Sequence, residues 1–358
     1  MKKTTIHILI VNGVLLLLAL ACLLACLTFS GKLESQKAAQ HWAGEGDVPF
    51  AQLSCFMSEG DTLSLGSVYG FRQTLLTKFT EASMTAPENG SLYHDAWSAF
   101  GKLTVTGDHG RGEANVTAVG GDWFFFHPLR LLSGSYITES DMMDDRVVLD
   151  EELAWRLFGG YDLAGMTVTI NETPYVVAGV VAREQDFASR KANSDTLGMY
   201  MGWRAWTALN AEAPIECYEV VLPQPVDGFA EDLFKSNFPV GGGEVVNNTE
   251  RFDLAGVYGI IRDFGSRSMH LNSVIYPYWE NAARYLGDWC ALFLALAIAL
   301  AVSPAVTFFV MLMIGLIRAK DYLSEKIPEL VANAIDRPRQ RRWEREKLKQ
   351  TEQKEAAQ

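Results

Sequence analysis

Two uncharged apolar runs, Ile8 to Phe29 and Trp289 to Ile317, bracket a polar stretch of about 255 residues. At about 1.5 Å of helix rise per residue the first run spans roughly 33 Å and the second roughly 43 Å, against a hydrocarbon core of roughly 30 Å. The pattern predicts two transmembrane helices around one large ectodomain, with the second helix tilted, kinked or protruding. Lys and Arg beside a membrane segment stay on the cytoplasmic side. Lys2 and Lys3 precede the first run, and Arg318, Lys320, Lys326 and a dense group from Arg337 to Lys349 follow the second. Both termini are therefore expected in the cytoplasm of a two-pass cell (plasma) membrane protein, with the ectodomain outside.

Of the formal charge of −12, Lys2 and Lys3 contribute +2 and the tail from Arg318 onward +3, which leaves −17 for the stretch between. So acidic an ectodomain repels phosphate backbones, and the lipid bilayer rather than nucleic acid is the expected partner. Ala21-Cys22 and Ala25-Cys26 loosely resemble a lipoprotein cleavage box, and a cleaved export signal is the competing reading of the N-terminus. The apolar run continues through Leu27 and Phe29 past both cysteines, so an uncleaved anchor is expected. Of the five cysteines only Cys55 and Cys217 fall in the ectodomain. They either pair or sit as two buried thiols, and the second is the plainer expectation.

Within the ectodomain, "VPFAQLSCFMS" reads as an extended segment, and Leu65 to Met84 carries one apolar face at helical spacing. Strands are expected at about His94 to Thr106 and Glu113 to Val119. "RVVLDEELAWRLFGG" then reads as strand, Asp150 N-cap, short helix and Gly159 stop. Met166 to Ile170 and Tyr175 to Val181 form a hairpin about a turn at Asn171 to Pro174. A charged connection from Arg183 to Ser194 leads to an apolar stretch near Met199 and a strand at Cys217 to Leu222. Asp227 is expected to cap a helix through Phe234, followed by a Gly241 to Gly243 turn, the strand "EVVNN" and a helix over Thr249 to Gly265. Pro277 suits the first position of the helix leading into the second span. Tyr276, Tyr278, Trp279, Tyr285 and Trp289 read as an aromatic belt at the membrane interface.

The run Val116 to Arg183, containing "VTAVGGDWFFFHPLRLLSGSYITESDM" and "DDRVVLDEELAWRLFGGYDLAGMTVTINETPYVVAGVV", resembles the MacB-like periplasmic core domain of the MacB/FtsX-like ABC transporter permease family. The matching features are an aromatic segment with Gly134, the "LDEELA" helix, the "LFGG" stop, the Asp162-to-Gly165 turn and paired strands ending in "GV". The resemblance implies an α+β ectodomain between two transmembrane α-helices. In it a discontinuous strand–helix–strand subdomain, Phe50 to Val119 with Val226 to Asn247, holds an inserted β-rich subdomain over about 128–222. The expected divisions are a membrane helix at 1–29, the core domain at 30–272, a stalk and second membrane helix at 273–317, and a basic cytoplasmic tail at 318–358.

The family implies a separate ABC ATPase subunit as partner, because no G-x-x-x-x-G-K-[ST] phosphate loop occurs in the chain. Members of the family carry three membrane helices after the ectodomain, against one apolar run here, so other permease subunits or a homo-oligomer are further expected partners. Apolar positions from Tyr322 to Ile335 could form an amphipathic contact for the ATPase or a helix on the membrane surface.

No catalytic, cofactor-binding or metal-binding residues are expected. The histidines, His7, His41, His94, His109, His127 and His270, lack helical zinc spacing, and His127-Pro128 after three phenylalanines reads as a packed corner. Glu139, Asp141, Asp144 and Asp145 read as a solvated acidic turn rather than a calcium loop. Gly66 to Gly70 has its serine one position early for a nucleophile elbow. Ser303-Pro304 predicts a kink in the second span. The leading expectation is a non-enzymatic membrane subunit of an ABC-type permease or mechanotransmission system; the alternative is a bitopic-hairpin sensor or scaffold that keeps the core-domain fold without transport.

Overall fold

The computed structural model describes residues 3–31, 33–44, 48–86, 90–141, 143–193, 196–267 and 274–355. Lys2 and His270, considered above, lie outside the described residues. The chain divides into two compact units, Cys22–Ala295 and Met1–Ala21 with Leu296–Gln358.

The elements run in this order. Helix α1 (Lys3–Ser30) carries the first apolar run, and a 3-10 turn at Glu34–Gln36 and α2 (Ala38–Ala43) follow in what reads in sequence as a polar linker. Next come β1 (Phe50–Phe56), α3 (Leu65–Glu81), the long hairpin β2 (His94–Gly107) and β3 (Gly110–Gly121), and the short α4 (Trp123–Phe126). Beyond them lie β4 (Leu131–Gly134), β5 (Arg146–Asp150), α5 (Glu151–Phe158), β6 (Thr167–Ile170), β7 (Thr173–Val181), α6 (Phe187–Ala192), β8 (Gly198–Gly202) and α7 (Trp203–Leu209). The chain closes with β9 (Cys217–Pro223), α8 (Phe229–Asn237), β10 (Glu244–Asn247), α9 (Leu254–Arg262), α10 (Phe264–Arg267) and α11 (Tyr278–Glu355).

Local chemistry sets many of these boundaries. Ser64 accepts from the Ser67 amide to open α3, which buries Val68, Phe71, Leu75 and Phe79 along one stripe. Asp150 accepts from the Leu153 amide at the start of α5, and Gly159 ends it in the left-handed conformation. Asn171 and Glu172 both have positive φ, the mark of a tight two-residue hairpin turn between β6 and β7. At Gly134 (φ +73°) a Cβ would stand 2.0 Å from the Ala178 carbonyl oxygen, so β4 pairs with β7 only because that side chain is absent.

Among the described residues all ten strands join one sheet in the order β10-β1-β9-β2-β3-β8-β5-β7-β4, with β6 pairing β2 and β7. Pairing is antiparallel except at β3–β8 and β5–β7. The chain thus leaves the first set of strands after β3 and comes back at β9, which gives a mixed α/β ectodomain built on a discontinuous first part. The sequence reading placed Cys217 to Leu222 at the end of the insertion. Instead β9 pairs along the whole of β1 and with His94–Ser98 of β2, at the centre of the first set.

One face of the sheet is covered by α3, α5 and α8 in a core containing Leu53, Phe71, Leu75, Leu149, Leu153, Leu157, Tyr218 and Phe234. The opposite face carries Phe56, Val119, Trp123, Phe126, Val148 and Val221 against Ala38, Ala39 and Trp279. Cys55 belongs to the first core and Cys217 to the second, so the two thiols point to opposite sides of the sheet and remain free. Burial pushes the Cys55 thiol up to about 12 and the Cys217 thiol well above its usual range.

Four local expectations shift. The Arg183 to Ser194 connection contains α6, capped by Asp186, which accepts from the Ala188 and Ser189 amides. Gly228 rather than Asp227 precedes α8, and the Asp232 amide donates to the Gly228 carbonyl. The helix expected from Thr249 begins only at Leu254, because the Thr249 hydroxyl accepts from the Gln52 amide and holds that segment beside β1. Pro277 stands one residue before α11, where its carbonyl accepts from the Asn281 amide.

In the smaller unit Asn12 of α1 is buried. Its amide donates to Thr307 Oγ1 at 2.9 Å and its side-chain carbonyl accepts from Ser303 Oγ at 3.0 Å, both on α11. α11 continues unbroken through Pro304, Pro328 and Pro338. Thr307 Oγ1 in turn donates to the Ser303 carbonyl one turn back. Both apolar runs lie in helices long and apolar enough to cross a bilayer.

Candidate functional site: a polar seam between sheet and stalks

Buried strands spend their side chains on apolar contacts, so buried polar positions mark a task. On β1 the residues facing the second core include Gln52 and Ser54, with 0% and 1% of their surface exposed. Gln52 Oε1 accepts from the Ala38 amide at 2.9 Å, and its Nε2 donates to the Ser35 carbonyl at 2.7 Å. Gln52 therefore fastens the chain that follows α1 to β1, the strand next to the β10 edge of the sheet.

Ser54 begins a longer path. Its hydroxyl donates to Glu219 Oε1 on the neighbouring β9 at 2.9 Å and accepts from Asn248 Nδ2 at 2.7 Å. The other Glu219 oxygen lies 2.5 Å from Nε2 of His127, just after α4. The His127 ring stacks on Trp123 and packs against Trp279, with centroids 4.4 Å away in each case. On the other side Arg251 Nη1 approaches Asn248 Oδ1 at 3.5 Å and grips Glu280 through both terminal nitrogens, at 2.6 and 2.7 Å.

Glu280 lies in the first turn of α11 with 1% of its surface exposed. It also accepts from Arg284 Nε at 2.7 Å. Arg284 Nη2 donates to Glu244 of β10 at 2.6 Å, its guanidinium rests 3.8 Å from the Tyr276 ring centroid, and the Tyr276 hydroxyl donates to Glu244. A continuous line of hydrogen bonds, charge-assisted except between Asn248 and Ser54, thus joins α11 to β10, β1, β9 and α4. Bidentate contacts fix orientation as well as distance.

Apolar packing completes the junction. Trp279, Ala282, Ala283 and Leu286 are buried. Ala282, Ala283 and Leu286 meet Leu33 and Ala188 of α6 in a small core. Phe29 stacks on Phe293 at 5.9 Å, and Cys290 Sγ donates to the Cys26 carbonyl at 3.7 Å. The expected aromatic belt is therefore divided. Tyr276, Tyr278 and Trp279 cover the sheet rather than lie at a lipid interface, because the sheet supplies an apolar surface and polar ends for the same rings. A groove of about 460 Å³ remains between β2, β3 and β8 and the start of α11, lined by Phe100, Lys102, Tyr200, Glu216 and Trp279.

The other residues weighed from sequence are accounted for separately. His127 is a packed corner with a buried carboxylate partner. Among the acidic-loop residues Glu139 meets Arg72, Asp141 meets Arg146 and Asp144 meets Arg204, at 3.4, 3.7 and 4.0 Å. His94 meets Asp122 at 2.5 Å and His41 approaches Glu34 at 3.7 Å. Among the described residues no set of three His, Cys, Asp or Glu is placed to hold a metal. Sequence reasoning missed Gln52, Ser54, Glu219, Asn248, Arg251 and Glu280. The available signal was the polar alternation inside "AQLSC" and "CYEVVL".

Residues 79–227 match the family model of the MacB-like periplasmic core domain. The chain is 33% identical over 85 residues to the macrolide export ATP-binding/permease protein MacB of Aggregatibacter actinomycetemcomitans. The match takes in 23% of this chain and 13% of that relative's length. Among solved structures, the periplasmic region of MacB from Actinobacillus actinomycetemcomitans aligns over 61% of this chain and 94% of its own, at 18% identity and a TM-score of 0.40. The extracellular domain of the noncanonic ABC-type transporter YknZ from Gram-positive bacteria aligns over 55% and 98%, at 12% identity and a TM-score of 0.38.

Proposed function

We propose that the chain is a non-enzymatic membrane subunit of an ABC-type permease or mechanotransmission system. Its core domain engages a substrate or extracytoplasmic partner, and its stalks convey displacement produced by a separate ATPase. Both termini lie in the cytoplasm in this reading. The observation that carries it is the grip of Arg251 and Arg284 on Glu280, continued through Asn248 and Ser54 to Glu219. A helix held by apolar contacts alone slides and rotates at small cost. One whose buried carboxylate is bonded by two guanidinium groups transmits motion as a rigid element. Outward apolar side chains such as Leu17 and Phe308 face lipid or the helices of further permease subunits, including second copies of this chain.

The test is a mild-detergent pull-down of the tagged full-length protein, with mass spectrometry and an ATPase assay of the eluate. A stoichiometric nucleotide-binding subunit, lost when residues 318–358 are deleted, is expected. Recovery of the protein alone, with no ATP hydrolysis, sinks the reading in favour of a sensor or scaffold.

A further inference from the structure

On the ectodomain, α5, α6 and the segment between β7 and α6 enclose a cleft of about 340 Å³, lined by Glu151, Glu152, Arg183, Glu184, Ser189 and Arg190 among others. The volume is that of a small-molecule site. Its charge is unbalanced. Arg183 is consumed by Asp150, to whose Oδ2 it donates from Nε at 2.8 Å and Nη2 at 2.7 Å. Glu151, whose Oε1 accepts from the Arg183 amide at 3.0 Å, shares the lining with Glu152, Glu184 and Arg190, which is exposed.

Two polar atoms in this lining lack the partners that buried groups normally have. Ser189 is 2% exposed and its Oγ has no hydrogen-bond partner, nor has the buried Oε2 of Glu184. Glu184 Oε2 accepts a hydrogen bond and Ser189 Oγ can accept or donate one, so a donor in the cleft would serve both, and the surplus of carboxylates selects a positive one. The carboxylates do not converge as a metal site. We propose that this cleft binds a small organic cation, an ammonium or guanidinium compound, whose N–H groups satisfy Glu184 and Ser189 while Glu151 and Glu152 supply attraction around them.

The site adds a ligand to the ectodomain and does not depend on an ATPase. Burial pushes the Glu184 carboxyl above its usual range, against the opposing effects of His127 and the Tyr278 hydroxyl. The Tyr278 hydroxyl, on the first residue of α11, lies beside Glu184. Phe187 of α6 meets Tyr285 of α11 at 5.5 Å. An occupant would therefore press on the elements that seat the stalk.

The experiment is isothermal titration of the full-length protein in detergent with agmatine, which carries one ammonium and one guanidinium group. Magnesium chloride at matched ionic strength is the control. One-to-one saturable binding is expected, weakened at least tenfold in Glu184→Gln and several-fold in Ser189→Ala. Glu113→Gln, an exposed carboxylate on β3 outside the cleft, should leave it within twofold. Should Glu184→Gln fail to fold, Ser189→Ala decides alone. No saturable agmatine binding, equal binding by wild type and the cleft variants, or full displacement by magnesium overturns the proposal.

Discussion

Glu280 shows what a single buried carboxylate costs and contributes. Breaking one side of such a pair leaves a charge in a poorly solvated place, at about 3–5 kcal/mol. Arg251→Ala leaves Glu280 with Arg284 alone and should destabilise the ectodomain by up to about 3–5 kcal/mol, read as a shift in urea unfolding. A change under about 1 kcal/mol would mean that Glu280 is already solvated. Gly134→Ala forces a Cβ onto the Ala178 carbonyl at a positive φ, and should cost about 2–4 kcal/mol in the same measurement. Glu184 sets a pH dependence whose sign follows from burial. Its folded pKa is raised, so its contribution is present below the unfolded value near 4.3 and is lost as pH rises through the folded one. Unfolding from pH 4 to 8 should show wild type losing stability relative to Glu184→Gln as pH rises; parallel curves would refute this. Apart from Gly134, none of these residues is conspicuous in the sequence. Ser54 and Glu219 reveal their roles only through the pairing register that sets them side by side.

Elements differ in how much of them a sequence declares. The run from β5 to β7 was legible because its signals are local: the Asp150 cap, the Gly159 stop and the alternation of Val168 and Ile170 across a two-residue turn. The strand at Cys217 was legible as a strand but not in its place, since its partners on β1 are about 160 positions earlier. The short α6 was hidden because six residues give no apolar periodicity, and only the Asp186 cap marks it. The pairing of α1 with α11 rests on Asn12 with Ser303 and Thr307. Polar contacts between membrane helices contribute about 0.6 to 1.7 kcal/mol. Asn12→Ala should therefore weaken span pairing by roughly 1 kcal/mol, seen as slower cross-linking of cysteines placed on α1 and α11. Unchanged cross-linking would show that apolar packing alone sets the pairing.

For the whole molecule, the seam predicts a separation of functions. With an ATPase partner bound, Arg251→Ala should leave ATP hydrolysis within about twofold of wild type, while uncoupling it from any motion of the core domain. Distance measurements between spin labels on β3 and α11, with and without nucleotide, would report this. A variant that still moves on nucleotide addition would mean that the stalks act through apolar contact alone.

The sheet ends on β10 and β4, each four residues long. Edges so short give an incoming strand little backbone to pair with. Partners of this ectodomain must then be recognised through side chains on its faces and loops, which lets selectivity change by surface substitution and keeps neighbouring copies in a crowded membrane from knitting into fibrils.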